Sequence, residues 1–185
     1  MGYTVPGMTK EQGEKTAAIL QERLSALIDM QLTLKHIHWN VVGPTFIGVH
    51  EMLDPQYAGV SVMVDDVAER IAALGSEVVG TPGFTAKNRT WEDYELKRAG
   101  VMEHLGALDL VYAGLIASHR QAAKQFEELD LVSQDLLISQ LGDLEKYHWF
   151  VRAHLENDKG NLSTQGAKGL AEASAAAHKN AAERT

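Results

Sequence analysis

The 185-residue sequence contains no cysteine, which excludes a disulfide framework, thiolate zinc sites, iron–sulfur clusters and cysteine nucleophiles. Its first residues show no apolar run behind a basic patch, so we expect no secretory signal. The longest apolar stretch, near residues 106–117, is broken by Asp109, and we expect no membrane span. These absences favour a cytoplasmic protein.

Positive charge is also scarce, because 17 Lys and Arg face 25 Asp and Glu for a formal net charge of −8. A basic nucleic-acid-binding domain has the opposite balance, whereas an acidic body attracts cations. Hydrophobic residues make up 45% of the chain, which excludes disorder over most of it. The length fits one domain.

Apolar residues recur at steps of three and four, the spacing of one helix face. Thr9 and Gln12 form a capping-box pattern at the start, and Gly43-Pro44 stops the first helix. Thr90 is positioned to cap a short helix in the next long connection. The pattern predicts long helices over about 10–42, 45–74, 95–129 and 131–156.

The connections between the predicted helices indicate their arrangement. Helices one and two are joined tightly, as are three and four, whereas about twenty residues separate helix two from helix three. An all-α four-helix bundle with one long crossover is the ferritin-like architecture, and a plain up-and-down bundle is the alternative. We expect an N-terminal segment over 1–9, the bundle over 10–156 and a flexible C-terminal tail over 157–185, which lacks large apolar anchors.

Two histidines lie at equal distances from the predicted turn, His38 six residues before Pro44 and His50 six residues after it. In an antiparallel helical hairpin, such residues reach similar heights, so the two imidazoles can converge. Asp54 shares a helix face with His50. Imidazole and carboxylate ligands with open positions suit a divalent transition metal.

A second acidic pair, Asp65 and Glu69, lies further along the same predicted helix. Like charges four residues apart repel each other on a helix, and a bound cation would reverse that repulsion. Asp66 and Arg70 have the same spacing with opposite charges, and we interpret them as a surface ion pair.

The two groups cannot bind one ion within one chain. Asp54 and Asp65 are eleven residues apart, which is about 16 Å along a helix axis. Eleven residues is also close to three turns, so both groups face nearly the same way. An antiparallel copy of the helix would bring Asp65 and Glu69 opposite His38 and His50 of another subunit. This predicts a metal site across a two-fold dimer interface.

A conventional di-iron site inside one bundle is not expected. Such sites need two Glu-x-x-His motifs, and Glu145-x-x-His148 is the single copy here. We expect Glu145 and His148 to be exposed or at a subunit contact.

Several motifs together resemble a known family. They are Thr33-Leu34-Lys35-His36-Ile37-His38-Trp39-Asn40-Val41-Val42-Gly43-Pro44, then Phe46, His50-Glu51-Met52-Leu53-Asp54, Asp65-x-x-x-Glu69-Arg70, Asp143-Leu144-Glu145-Lys146 and Trp149-Phe150. Over about residues 10–156 the chain resembles the Dps family, the DNA-binding proteins from starved cells, also called mini-ferritins.

The resemblance implies a hollow homo-dodecamer of ferritin-like subunits with a ferroxidase centre at each two-fold interface. It implies iron as the metal, up to two ions per site, oxidised preferentially with hydrogen peroxide and stored as ferric mineral against oxidative stress. The implied ligands are His38, His50 and Asp54 of one subunit with Asp65 and Glu69 of its partner. Trp39 matches the family tryptophan that intercepts stray oxidising equivalents. Asp130 and Asp135 resemble acidic residues of the family's iron-entry pores, although Asp130 is also placed to cap a helix.

Two other functions stay open. The family also binds DNA through basic tails, but the tail here has a net charge of only +1. A nucleoid-compacting protein that acts through its tails is therefore one alternative. The other is metal-dependent amide or ester hydrolysis by a metal-bound water.

Overall fold

The computed structural model describes residues 3–183, and most of them are helical. The helices are α1 (Lys10–Asn40), α2 (Phe46–Ala73), α3 (Pro82–Asn88), α4 (Val101–Phe126), α5 (Leu131–Leu155) and α6 (Leu170–Ala182). Two short parallel strands, β1 (Val41–Val42) and β2 (Ala99–Gly100), pair Val41 with Ala99 and Val42 with Gly100. The prediction of an all-α chain with four long helices is confirmed.

Local hydrogen bonds explain where the long helices begin and end. The Gln12 N–H donates to Thr9 Oγ1 at 3.2 Å, and the Thr9 N–H donates to Gln12 Oε1 at 3.0 Å, which is the reciprocal capping box. Gly75 ends α2 with φ at 81°, a left-handed conformation that favours glycine. Gly43, with φ at 114°, turns the chain between α1 and α2.

The crossing between α2 and α4 contains a short helix, but not where the sequence analysis placed it. α3 begins at Pro82, which fits the first turn of a helix because its missing N–H has no intrahelical acceptor there. The helix expected after Thr90 is wrong, since described residues 90–98 form no helix. α4 begins at Val101 rather than near Glu95, because the Glu103 carboxylate accepts a hydrogen bond from the Gly100 N–H at 2.8 Å.

The described residues group into two compact units, and α1, α2, α4 and α5 contribute to both. The first unit comprises 3–31, 58–90 and 115–143, and the second comprises 32–57, 91–114 and 144–183. Fully buried side chains of the first unit include Leu20, Leu24, Leu27, Ile71, Leu74 and Phe126. Those of the second unit include Leu34, Ile37, Leu53, Leu105 and Tyr112. In each unit the apolar stripe of every long helix supplies the core.

Within the second unit, the C-terminal segment packs against α4, and the expectation of a flexible tail is wrong up to residue 183. Thr164 Oγ1 donates to the Asp109 carboxylate at 2.6 Å, and Ala173 and Ala177 of α6 are fully buried. A Cβ added at Gly106 would lie 2.5 Å from the Ala173 carbonyl oxygen. The sequence analysis took the small residues of this segment as signs of a flexible tail. In the structure, these small residues allow α6 to approach α4 closely. Residues 184–185, and 1–2 of the N-terminal segment, lie outside the described range.

Among the described helices, α4 alone is long and apolar enough to cross a membrane by length and composition. A core helix of a soluble protein passes the same test, and Leu105, Leu108 and Tyr112 of α4 are fully buried.

Candidate metal centre

The two histidines that flank the α1–α2 turn lie face to face in the second unit. The rings of His38 and His50 stack with centroids 3.6 Å apart and an interplanar angle of 23°. His38 Nδ1 lies 2.9 Å from the His50 carbonyl oxygen, and His50 Nδ1 lies 2.9 Å from the His38 carbonyl oxygen. The convergence expected from the spacing is therefore present, and each ring is anchored by the other residue's main chain.

This reciprocal bonding assigns the tautomer of both rings. A carbonyl oxygen only accepts hydrogen bonds, so each Nδ1 must carry a proton and donate it. In a neutral imidazole the lone pair then lies on Nε2. Metal-binding histidines are commonly oriented by such a hydrogen bond from the non-ligating nitrogen. His38 and His50 thus present two oriented Nε2 lone pairs.

Asp54 stands beside the stacked rings with an exposed carboxylate. Its Oδ1 lies 3.4 Å from His38 Nδ1 and 2.6 Å from Lys35 Nζ. The hydrogen bond from Lys35 is the main reason that the pKa of Asp54 is held below its usual value. Lys35 also lies over the Tyr57 ring, 4.8 Å from its centroid. The ammonium of Lys35 is therefore bound to Asp54 Oδ1, an oxygen that a metal ion would need as a ligand.

A complete metal site does not form within residues 3–183 of one chain, where no three His, Asp or Glu side chains are grouped to hold an ion. Asp65 and Glu69 lie on the part of α2 that belongs to the first unit. Both are exposed, and within the described residues neither carboxylate has a hydrogen bond or an ion pair. Their role as ligands supplied by a partner stays a prediction.

Exposed apolar side chains adjoin the histidines in the second unit. Trp39 is 72% exposed and follows His38 directly, and Ile47 at the start of α2 is 51% exposed. Phe46 meets the His50 ring edge-on at 6.1 Å. Exposed apolar clusters rimmed by polar groups mark surfaces that a partner covers.

The two acidic residues predicted to line a pore have different surroundings in the first unit. Asp130 is buried and caps α5, because its carboxylate accepts hydrogen bonds from the Ser133 N–H and hydroxyl. It also forms an ion pair with Arg70 at 2.6 Å. Burial opposes its ionisation, but the bonds from Ser133 and Arg70 outweigh this and lower the pKa of Asp130. The structure thus confirms that Asp130 caps α5, and its role at an entry pore stays a prediction.

Asp135 is exposed and lines a surface groove together with Asp66 and Glu69. Its role at an entry pore stays a prediction. The expected ion pair between Asp66 and Arg70 is wrong, since Arg70 turns to Asp130 instead. Asp130 is 60 residues away in sequence, so no local pattern could have found it.

One buried polar cluster of the second unit was missed from the sequence. His148 is buried and its Nε2 lies 2.6 Å from Asp109 Oδ1, while the other Asp109 oxygen accepts from Thr164. Burial opposes ionisation of Asp109, yet these hydrogen bonds dominate and lower its pKa. The expectation that His148 is exposed or at a subunit contact is wrong. The one available signal was Asp109 itself, a charge inside an apolar run.

Several known proteins are similar to this chain in both sequence and fold. The family model of the ferritin-like domain matches residues 17–160. The DNA protection during starvation protein of Mycolicibacterium smegmatis is 55% identical over 164 residues, covering 89% of this chain and 90% of that protein. Mycobacterium smegmatis Dps in its tetragonal form superposes with a TM-score of 0.87 at 55% identity, covering 89% of this chain and 99% of that one. DpsA14 from Streptomyces coelicolor superposes with a TM-score of 0.86 at 54% identity, covering 87% and 96% respectively.

The fold is that of the ferritin-like proteins, all-α with a short helix in the long crossing between the second and third long helices. Within the ferritin-like proteins, the sequence is 55% identical to M. smegmatis Dps over most of both chains, which identifies one family. The chain belongs to the Dps family.

Proposed function

We propose that this protein is a ferroxidase that oxidises Fe(II), preferentially with hydrogen peroxide, and stores the ferric product as mineral. It acts in the cytoplasm as a hollow homo-dodecamer built from two-fold dimers, and it protects the cell against oxidative stress. Membership of the Dps family supports a role of this general kind.

The observation that carries the proposal is the reciprocal hydrogen bonding of His38 and His50. It leaves both Nε2 lone pairs available, and the Asp54 carboxylate lies against the same His38 ring, 3.4 Å from its Nδ1. Imidazole nitrogen and carboxylate oxygen suit Fe(II) as the substrate. Both rings are fixed before the ion arrives, so little conformational freedom is lost on binding.

A second subunit completes the site in this proposal. Asp65 and Glu69 are exposed and unpaired within the described residues, as ligands awaiting a partner's metal would be. The exposed side chains of Trp39, Phe46 and Ile47 give the two copies apolar surface to bury. An isologous dimer then contains two equivalent sites.

The reaction balances when two Fe(II) ions reduce one molecule of hydrogen peroxide. Two electrons from two Fe(II), with two protons, convert hydrogen peroxide into two water molecules, and no hydroxyl radical is released. Trp39, exposed beside His38, would intercept oxidising equivalents that escape this two-electron route. Asp135 would attract Fe(II) at the entry pores.

Mixed oligomers test the shared site. One variant, His38→Ala with His50→Ala, loses the imidazoles, and the other, Asp65→Asn with Glu69→Gln, loses the carboxylates. Each alone should oxidise Fe(II) slower by on the order of a hundredfold or more. After unfolding and reassembly in equal amounts, hybrid dimers regain one intact site in two, so about a quarter of the wild-type rate should return.

The control is the same mixing with two samples of one variant, which should restore nothing. Light scattering would confirm that every sample is the same oligomer. No recovery in correctly assembled hybrids would contradict a site shared between subunits, and wild-type rates in the Asp65/Glu69 variant alone would contradict these ligands.

DNA binding is a second candidate, because the M. smegmatis relative is named for DNA protection during starvation. Lys168 and Lys179 are exposed on the C-terminal segment of this chain and would contact phosphates. We expect a gel shift that weakens with salt and is reduced by Lys168→Gln with Lys179→Gln. Unchanged mobility of DNA at low salt would reject this function.

A further inference from the structure

An arginine of α1 is buried in the first unit without partners for most of its donors. Arg23 is 8% exposed, and its Nε and Nη1 atoms are buried with no hydrogen-bond partner among the described residues. These two atoms carry three of the five N–H groups of a guanidinium. The ion pair that Arg23 does form joins Nη2 to the exposed carboxylate of Glu22 at 3.8 Å, which is longer than a hydrogen bond.

The position of Arg23 on α1 faces the core. Leu20 and Leu27, three residues before it and four after it, are fully buried and share its helix face. Burial lowers the pKa of Arg23, but a guanidinium keeps its proton in a folded protein. The core of an otherwise acidic chain therefore contains a positive charge with little compensation, and such a charge is costly to bury.

A buried histidine of α4 also has an unpartnered nitrogen in the first unit. His119 has no exposed surface, and its Nε2 lies 3.3 Å from Gln140 Oε1. Gln140 Nε2 donates to the Met63 carbonyl oxygen at 3.3 Å, so its Oε1 is left to accept from the histidine. His119 therefore carries its proton on Nε2 and its lone pair on Nδ1. That Nδ1 is buried and has no hydrogen-bond partner within residues 3–183.

The charge of Arg23 acts on His119. Burial lowers the pKa of His119 to about 4, the positive charge of Arg23 adds to this effect, and the hydrogen bond with Gln140 opposes it. The imidazole is therefore neutral near pH 7. The groups that face His119 are thus Arg23 from α1 and Gln140 from α5, with the Met63 carbonyl of α2 behind Gln140.

A hydroxyl group on α1 adds a further donor on the same side of the helix. Thr16 is fully buried, and its Oγ1 has no hydrogen-bond partner in the described part of the chain. It precedes Arg23 by seven residues, which is close to two turns, so the two residues share a face. Side chains on a helix lean toward its N-terminus, so Arg23 extends in the direction of Thr16.

We propose that Arg23, with Thr16 and His119, forms a binding site for a small inorganic anion such as chloride in the core of the first unit. The unpartnered N–H and O–H groups are donors, and an anion accepts hydrogen bonds from such groups. A single-atom anion also requires little room in a close-packed interior. The site is separate from iron oxidation and does not rest on the proposed function.

The anion enters together with a proton. A neutral His119 presents a lone pair at Nδ1, which repels an anion, whereas a proton on Nδ1 turns the same atom into a positively charged donor. A bound anion therefore raises the pKa of His119. Because this coupling is reciprocal, the site binds the anion more tightly as the pH falls.

Bromide locates the anion directly, because it replaces chloride and gives an anomalous diffraction signal. In crystals of the assembled full-length protein soaked in sodium bromide, we expect an anomalous peak at hydrogen-bonding distance from Arg23 Nε and Nη1. An ordered water in that position, with no anomalous peak, would overturn the proposal. This experiment uses the wild type and does not depend on the folding of any variant.

Thermal unfolding measures the same binding in solution. With chloride replaced by methanesulfonate at constant ionic strength, the midpoint of the wild type should rise with the chloride fraction, because a ligand of the folded state stabilises it. Arg23→Gln should lose this dependence. The matched control is Arg120→Gln, at an exposed arginine of α4, which should keep it. A chloride dependence of equal size in Arg23→Gln and the wild type would overturn the proposal.

His119→Asn tests the coupling to a proton, since its amide cannot gain a charge. We expect the chloride effect on the wild-type midpoint to be larger at about pH 5 than at about pH 7.5, and to be equal at the two pH values in His119→Asn. A wild-type effect that does not change with pH would refute the coupled uptake of a proton.

Discussion

The main chain of Ala173 lies directly against Gly106, so closely that a Cβ at Gly106 would be 2.5 Å from the Ala173 oxygen and 2.7 Å from Ala177 Cβ. This contact joins α6 to α4 within the second unit without any large apolar side chain. It depends on three small residues and tolerates no added atom.

Gly106→Ala should therefore displace α6. Because the obstructing atom at Ala173 is main chain, the helix must move, and we expect a loss of roughly 1–3 kcal/mol in the free energy of unfolding. Hydrogen exchange followed by mass spectrometry should show faster exchange over residues 170–182.

The matched control is Gly114→Ala on the same helix, where an added Cβ meets nothing within 4 Å. This change should leave exchange in α6 unchanged and stabilise α4 by about 0.5–1 kcal/mol. Equal exchange over α6 in the two variants would show that the close contact does not position α6.

Asp130→Ala should destabilise the first unit strongly. It removes the cap of α5 and leaves the Arg70 guanidinium without its ion-pair partner, at a combined cost of about 3 kcal/mol or more. Asp130→Asn retains a capping side chain and should lose less, and Asp135→Ala on the exposed surface should stay within about 0.5 kcal/mol of wild type. Chemical denaturation measures all three, and equal stabilities for the Asp130 and Asp135 variants would contradict the assigned cap.

The Asp109 cluster predicts a specific acid sensitivity. The folded-state pKa of Asp109 lies below its usual value, so its stabilising contribution is fully present above about pH 4 and is lost as the pH falls through the folded pKa. Asp109→Asn resembles the protonated acid in shape. The difference in unfolding free energy between wild type and Asp109→Asn should be largest near neutrality and shrink in acid, as urea titrations at several pH values would measure. A pH-independent difference would show that the charge of Asp109 contributes nothing.

Lys35 competes with a cation for Asp54, since its ammonium lies 2.6 Å from Oδ1. Lys35→Met should therefore strengthen binding of a divalent probe such as Co²⁺, and the gain should shrink as salt screens the exposed Lys35–Asp54 pair. Calorimetry on the assembled protein measures this directly. Lys15→Met, which removes a surface ion pair with Glu11, is the control and should leave binding unchanged. Weaker Co²⁺ binding in Lys35→Met would mean that Lys35 orients Asp54 rather than blocking it.

Features governed by local geometry could be predicted from the sequence. The capping box of Thr9 and Gln12 spans only four residues, and the stacking of His38 on His50 follows from their equal distance to a tight turn. Helix periodicity likewise gave the four long helices.

Features that depend on distant residues could not be predicted in this way. Arg70 follows Asp66 by four residues, but in the structure it pairs with Asp130. The Asp130 carboxylate is already held in place because it caps α5. α6 was missed because hydrophobic patterning searches for large side chains, whereas this helix buries alanines against a glycine. Pro82 after Thr81 was a readable start signal for α3 that the sequence analysis overlooked.

Folding residues 170–182 into a docked helix also limits how far the end of the chain can extend. As a helix this stretch is about 20 Å long, against roughly 43 Å for the same residues fully extended. Lys168 and Lys179 are consequently held close to the protein surface and cannot extend far from it. Any polyanion that they bind must approach the protein surface, and it would be contacted along that surface rather than by an extended arm.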